Sequence, residues 1–110
     1  MPKIELENFV EYGQLFEIYG KLLSFDRQKI CEEYFSFNMT IAEISDEKKI
    51  SRQAVFDAIH KSCEKLEEFE KTLGILQNRR KLTDQLETIA VLAQDSPKIK
   101  EKVEKILKEI

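Results

Sequence analysis

Residues 40–61 read TIAEISDEKKISRQAVFDAIHK and carry the clearest structural pattern in the chain. Thr40 and Glu43 have the spacing of a capping box, in which each side chain accepts a hydrogen bond from the backbone N–H of the other residue. They predict a short helix that ends near Lys48. Ser51 is a suitable N-cap for a second helix. The stretch therefore predicts two helices joined by a tight turn.

Three positions in this stretch match the helix-turn-helix motif. Ser45 is small enough to let the second helix cross the first closely, and Val55 is the aliphatic residue that holds the second helix in place. Lys49 takes the turn position, where glycine is favoured because the backbone needs a positive φ. A lysine there costs about 1 kcal/mol. Ile50 is expected to lie under the turn as an apolar plug.

The rest of the chain predicts four further helices and no strand. Apolar residues recur with helical period between residues 7 and 23, and again from the cap at Ser24 to residues 36–38. The second motif helix is expected to end at Gly74, a fifth to start at Asn78, and a sixth at Ser96-Pro97. The residues expected to face inward are Phe9, Val10, Leu15, Phe16, Tyr19, Leu22, Leu23, Ile30, Cys31, Tyr34, Phe35, Val55, Ala58 or Ile59, Ser62, Leu66, Phe69, Leu73, Leu82, Leu86, Ile89, Ala93, Ile99, Val103, Ile106 and Ile110.

These elements predict one all-α domain over residues 1–110. A helix-turn-helix bundle of about four helices takes residues 1–74, with the motif at about 40–61, and a two-helix extension takes residues 75–110. The 42% hydrophobic content argues against disorder, and three Gly and two Pro are too few for an all-β fold. The apolar seam of the sixth helix is too short for an autonomous coiled coil. It is expected to pack on the fifth helix, on the bundle or on a second subunit, which makes residues 75–110 the expected homodimer interface.

Several classes of protein are disfavoured. The chain has no run of 18 apolar residues and no signal peptide pattern, so we expect a cytoplasmic protein that does not span a membrane. Cys31 and Cys63 are expected to be buried thiols rather than a disulfide or zinc ligands. His60 is the only histidine, and no Gly-rich phosphate loop is present. We therefore expect that the protein is not an enzyme and that it binds neither a cofactor nor a metal ion.

Charge is distributed unevenly along the chain. The net charge of −3 argues against nucleic acid as a ligand, but residues 1–47 hold four basic and ten acidic side chains, whereas residues 48–110 hold fourteen basic and eleven acidic ones. The basic excess begins at the turn of the motif. The average charge therefore does not exclude local binding of DNA, and it suits a protein partner with an acidic surface equally well.

The second motif helix carries the candidate interface. Arg52 and Gln53 can contact guanine and adenine edges, and an exposed Phe56 can contact a thymine methyl group. Lysines, the Ser51 hydroxyl and the helix N-terminus can bind phosphates, whereas Asp57 is repelled unless it accepts from cytosine. The residues expected at the interface are Lys48, Lys49, Ser51, Arg52, Gln53, Phe56, Asp57, His60 and Lys61. Bundles with this turn also serve as protein-interaction modules, and the spacing alone leaves both readings open.

Two family resemblances enter at these residues. The segments TIAEIS at 40–45 and ISRQAV at 50–55, together with Lys61, resemble region 4 of bacterial sigma factors, which reads the promoter −35 element. More closely, LFEIYGKLL at 15–23, with SRQAVFD at 51–57, resembles the YlxM family of small helix-turn-helix proteins, over roughly residues 12–73. The resemblance implies a sigma-region-4-like fold and a gene beside those of the signal recognition particle pathway. The Lys-rich end of this chain departs from the longer acidic tail of that family.

Three functions remain open from the sequence. The first is a DNA-binding regulator that acts as a homodimer, since one short helix gives too little contact alone. The second is an adaptor that uses the same face to bind a protein or the RNA of the signal recognition particle. The third is a sigma-like contact with RNA polymerase.

Overall fold

The computed structural model describes residues 6–110, which form six α-helices and no strand. The all-α prediction is confirmed. The chain divides into two compact units, the first ending at Leu73 and the second running from Gly74 to Ile110. The helices are α1 (Leu6–Tyr19), α2 (Phe25–Cys31), α3 (Ile41–Lys48), α4 (Arg52–Leu73), α5 (Ile75–Leu92) and α6 (Pro97–Glu109), with a 3-10 turn at Gly20–Leu22 after α1 and a π-helical turn at Glu32–Ser36 after α2.

Caps set the helix boundaries locally, largely as the sequence predicts. The backbone N–H of Glu43 donates to Thr40 Oγ1 at 3.1 Å and that of Thr40 to Glu43 Oε1 at 3.1 Å, which completes the capping box. Ser24 and Ser96 lie at the N-cap positions of α2 and α6, but their side chains make no capping hydrogen bond. Helix α5 begins at Ile75 rather than at Asn78, because Gly74 turns the chain with a φ of 63° and its carbonyl already accepts from the N–H of Asn78.

The core of the first unit lies where α2 and α3 pack on α4. Its buried cluster consists of Ile30, Ile44, Val55, Ile59 and Cys63. Val55, Ile59, Cys63 and Leu66 of α4 follow the helical period and are all buried. Removing this apolar surface from water favours the folded state.

Both cysteines are buried, as predicted. Burial raises the pKa of the Cys63 thiol to about 12 and also raises the pKa of Cys31, so both remain neutral at physiological pH.

Helix α1 packs across α4 through rings and hydroxyls. Tyr19 is 1% exposed, its ring lies 6.0 Å from that of Phe69, and its hydroxyl donates to Glu70 Oε1 at 2.7 Å. The Tyr12 hydroxyl donates to Glu67. In the first unit, three residues predicted to face inward are instead exposed, namely Val10 at 54%, Leu22 at 59% and Leu73 at 51%. They lie at the margins of the apolar stripes, and helical period alone does not say how wide the buried part of a stripe is.

The second unit is a pair of helices, α5 and α6, that pack on each other. Leu86 and Val103 are buried as predicted, but Leu82, Ile89 and Ile99 are 44%, 43% and 50% exposed. Two helices cover only one side of each other, so part of each apolar stripe stays in water. No helix within residues 6–110 is both long enough and apolar enough to cross a bilayer.

Candidate functional site

The turn between α3 and α4 is built around Ser45 and Lys49. Ser45 is 7% exposed, and its Oγ donates to the Ile50 carbonyl at 2.7 Å, while the Ile50 N–H donates to the Ser45 carbonyl at 3.2 Å. Lys49 adopts the left-handed conformation, with φ 57° and ψ 42°, as the turn position requires. Val55 is fully buried. All three motif positions therefore have the roles that their spacing predicts.

Ile50 contributes to this turn through its backbone rather than its side chain. Its side chain was expected under the turn, but the residue is 40% exposed. The buried Ser45 makes hydrogen bonds to both the N–H and the carbonyl of Ile50, so this position is held in the turn by its main chain. The prediction of an apolar plug at this position is wrong.

The N-terminus of α4 points its first amides outward next to the turn. The Ser51 Oγ accepts from the Ala54 N–H at 3.0 Å, which confirms Ser51 as the N-cap. The backbone amides of Arg52 and Gln53 lie in the first turn of α4, where no earlier helical carbonyl is available to accept from them. They can therefore donate hydrogen bonds to an anion. Ser51, Arg52 and Gln53 are all exposed. The turn therefore presents a hydroxyl, a guanidinium and an amide at one helix end.

The exposed face of α4 continues from this end as a chain of polar contacts. The Gln53 Nε2 donates to Asp57 Oδ1 at 2.9 Å, which leaves the second N–H and the Oε1 of the amide for a ligand. His60 Nε2 lies 3.1 Å from Glu64 Oε1. Lys61 is exposed on the same helix. The contacts between Gln53 and Asp57 and between His60 and Glu64 are both one helical turn long, so they orient these side chains on the surface of α4.

Phe56 differs from the prediction. It is only 9% exposed, and its ring lies parallel to that of His60, with 5.9 Å between centroids and 11° between planes. It directly follows the buried Val55 and widens the apolar side of α4. The expectation of an exposed aromatic side chain at position 56 is therefore wrong. His60 covers the ring and takes the exposed position.

Lys48 is paired within the protein. Its Nζ lies 3.3 Å from Glu33 Oε1 in the π-helical turn, and the two side chains are 25% and 14% exposed. The second carboxylate oxygen of Glu33 is buried with no hydrogen-bond partner. Of the three lysines expected at phosphates, only Lys49 and Lys61 are exposed. Sequence reasoning missed Glu33, which lies 15 residues before Lys48, beyond any helical spacing that could have signalled the pair.

The interface residues thus fall into three groups. Ser51, Arg52 and Gln53, with Lys49 before them, surround the N-terminus of α4, and Asp57, His60 and Lys61 extend the same exposed helix. The third group consists of Lys48, which is partly exposed and paired with Glu33, and of the buried Phe56. Within residues 6–110 no group of three or more histidine, cysteine or carboxylate side chains could hold a metal ion.

Comparisons with known proteins agree with this geometry. Residues 6–109 match the family described as "Putative helix-turn-helix protein, YlxM / p13 like". A UPF0122 protein of Fusobacterium nucleatum is 31% identical over 105 residues, which cover 96% of this chain and 97% of the relative. A UPF0122 protein of Listeria innocua is 40% identical over 76 residues, 66% of this chain and 69% of the relative. A UPF0122 protein of Caldanaerobacter subterraneus is 33% identical over 83 residues, 76% of this chain and 71% of the relative.

Proposed function

This chain belongs to the YlxM/p13-like helix-turn-helix family, and on that premise we propose that it binds double-stranded DNA through the N-terminus and exposed face of α4. The observation that carries the proposal is the exposed first turn of α4, in which Arg52 and Gln53 stand beside backbone amides that have no helical acceptor. A recognition helix of this motif contacts base edges with its N-terminal residues. The role is that of a non-catalytic regulator.

The side chains divide by the part of the duplex that they would contact. Arg52 can bind guanine O6 and N7, and Gln53, held by Asp57, can bind adenine with its remaining N–H and Oε1. Lys49, Lys61 and the Ser51 hydroxyl would bind phosphates. His60 lies farther along the helix and would contact the edge of the groove.

Binding as a homodimer is part of the proposal. One short helix reads few base pairs, and useful affinity for a site needs two half-sites about 34 Å apart. Residues 75–110 would join the copies, since Leu82, Ile89 and Ile99 are half exposed on α5 and α6. In sedimentation velocity, Ile89→Glu or Ile99→Glu is expected to shift the protein from dimer to monomer. A monomeric unmodified protein at micromolar concentration would contradict this part of the proposal.

The test of DNA binding is fluorescence anisotropy with duplexes from the region upstream of the protein's own gene and with a shuffled duplex. We expect Arg52→Ala to weaken specific binding by about 1–3 kcal/mol and to relax the base preference at one position. Lys61→Ala should weaken both duplexes alike and lower the slope of affinity against salt by about 0.9. Lys29→Ala is the control, because it removes one exposed positive charge from α2, outside the motif. Affinity that does not fall as salt rises, or equal effects of all three variants, would refute DNA binding by this face.

The acidic side chains of α4 favour one alternative. Glu64, which is 62% exposed at its side chain and bonded to His60, and the exposed Glu68 would both repel phosphate. A protein with basic and polar groups would accept this half of the helix. On the family resemblance, we name a protein of the signal recognition particle or RNA polymerase as the partner in this second candidate function.

A pull-down with the GTPase of the signal recognition particle and with the RNA polymerase core, using Glu64→Gln and Glu68→Gln, tests the alternative. Loss of capture in both variants would support it. Phe56→Ala is not suitable as a probe, because that ring is part of the fold.

A further inference from the structure

An aromatic groove lies on the first compact unit, on the side formed by α1 and the end of α2 with its π-helical turn. It has a volume of about 690 Å³. The ring of Phe35 lines it and lies 5.4 Å from that of Phe9 and 6.1 Å from that of Phe16. Val10 and Phe37 line the groove and are 54% and 63% exposed, so its apolar surface continues out to the rim. The face of α4 described above contributes no residue to it.

Gly13 holds the groove open. It lies in the middle of α1, where glycine is a poor helix former, and its φ is not positive. A Cβ at this position would be 3.9 Å from Phe35 Cδ1, which is ordinary van der Waals contact. Neither the backbone nor the packing of the fold therefore requires glycine. The absence of a side chain at Gly13 leaves space in the groove next to Phe35.

The rim of the groove is acidic. Glu17 of α1 and Glu32 of the π-helical turn both line it and are exposed, against one lining cation, Lys21. The groove also lies within the 47 residues that carry ten acidic and four basic side chains. A phosphate backbone is repelled by such a surface, whereas a basic segment is attracted to it.

We propose that this groove binds a basic amphipathic helix of a partner protein. The apolar face of that helix lies over Gly13 and against the phenylalanine rings, and its lysines or arginines pair with Glu17 and Glu32. The stretch of α1 from Phe9 to Glu17 is about 12 Å long, which matches two to three turns of a docked helix with apolar anchors at i, i+3, i+4 and i+7. An apolar surface that extends to Val10 and Phe37 suits a helix better than a small molecule enclosed in a pocket.

The probe is a fluorescein-labelled 18-residue peptide with leucines on one helical face and lysines on the other. Two matched peptides accompany it, one with the same composition in scrambled order and one with glutamates in place of the lysines. In anisotropy titrations at physiological salt, we expect the amphipathic basic peptide to bind at least about tenfold more tightly than either control. Equal binding of the scrambled peptide would mean that charge alone attracts it, and would overturn the proposal.

Variants of the protein locate the binding. Gly13→Leu fills the groove and Gly13→Ala fills it only in part, so the affinity for the peptide should fall by about tenfold or more in the first and less in the second. Val10→Ser and Phe37→Ser remove exposed apolar surface and do not depend on how the fold accepts a leucine. Val91→Ser is their control, since Val91 is 68% exposed on α5 in the second unit.

Glu17→Gln and Glu32→Gln should each weaken binding and reduce its salt dependence. Duplex binding should be unchanged in all the groove variants, which separates this inference from the function proposed above. Unchanged peptide affinity in the Gly13, Val10 and Phe37 variants would overturn it. So would a loss of self-association in Val10→Ser and Phe37→Ser, which would assign the groove to a second copy of the chain.

Discussion

The left-handed backbone at Lys49 predicts that a change from lysine to glycine has opposite effects on stability at Lys49 and at Lys61. Lys49 has φ 57° and ψ 42° and is exposed. Left-handed backbone costs a residue with a Cβ about 1–2 kcal/mol, and glycine escapes that cost. Glycine also adds about 0.4–1 kcal/mol of unfolded-state entropy. The difference predicts that Lys49→Gly stabilises the first unit by about 0.8 kcal/mol, since the relief of strain is the larger of these two effects.

Lys61 is the matched control for this experiment. It is an exposed lysine in the interior of α4, where the backbone is right-handed. Glycine in a helix interior costs about 1 kcal/mol, so Lys61→Gly should destabilise the same unit. Both variants remove one positive charge, so the difference between them reports the backbone alone.

The assay can isolate the first unit. All three tyrosines, Tyr12, Tyr19 and Tyr34, lie before Gly74, and the chain has no tryptophan. Tyrosine fluorescence during urea or thermal unfolding therefore follows this unit without a signal from α5 and α6. A gain of about 0.8 kcal/mol corresponds to a rise of roughly 3–6 °C in Tm for a domain of this size. A lower Tm in Lys49→Gly than in the unmodified protein would refute the assignment of strain to this turn.

Three further predictions test the core, the titrating groups and the Glu33 pair. Ile59→Ala should lower the free energy of unfolding by about 3 kcal/mol and Ile50→Ala by less than about 1 kcal/mol, because Ile59 is fully buried and Ile50 is 40% exposed. Urea midpoints compare the two variants, and similar losses would contradict this difference in burial. Burial raises the pKa of Cys63 from 9.0 to about 12, and the hydrogen bond to Glu67 raises the pKa of Tyr12. The unfolded chain therefore loses these protons at lower pH than the folded chain, so the free energy of unfolding should fall as pH rises from 9 to 11. Urea midpoints followed by circular dichroism measure this fall, which should be smaller in Tyr12→Phe. Glu33→Gln releases Lys48 for a phosphate, so the slope of log affinity for the duplex against log salt concentration should become steeper by about 0.9. An unchanged slope would leave Lys48 outside the interface.

The sequence pattern alone predicts where the two motif helices start, because the contacts that set those starts join near neighbours in the chain. Thr40 with Glu43, and Ser51, satisfy the backbone groups at helix starts within three residues, so their spacing alone locates α3 and α4. Ser45 and Lys49 act on the same single turn. Such contacts join neighbours in the chain, and a sequence pattern records them directly. The same local reasoning identified Arg52 and Gln53 as an exposed helix start.

Which neighbours each helix face meets depends on how the helices pack in three dimensions. The helical period places Phe56 at the edge of an apolar stripe, but it does not give the low exposure of 9% or the stacking of the ring on that of His60. Lys48 meets Glu33 because a π-helical turn brings a residue 15 positions earlier to the end of α3. The groove above Gly13 exists because α1 lies beside that same turn. Side chains that are distant in sequence are brought together by the angles at which helices cross, and no local pattern encodes those angles.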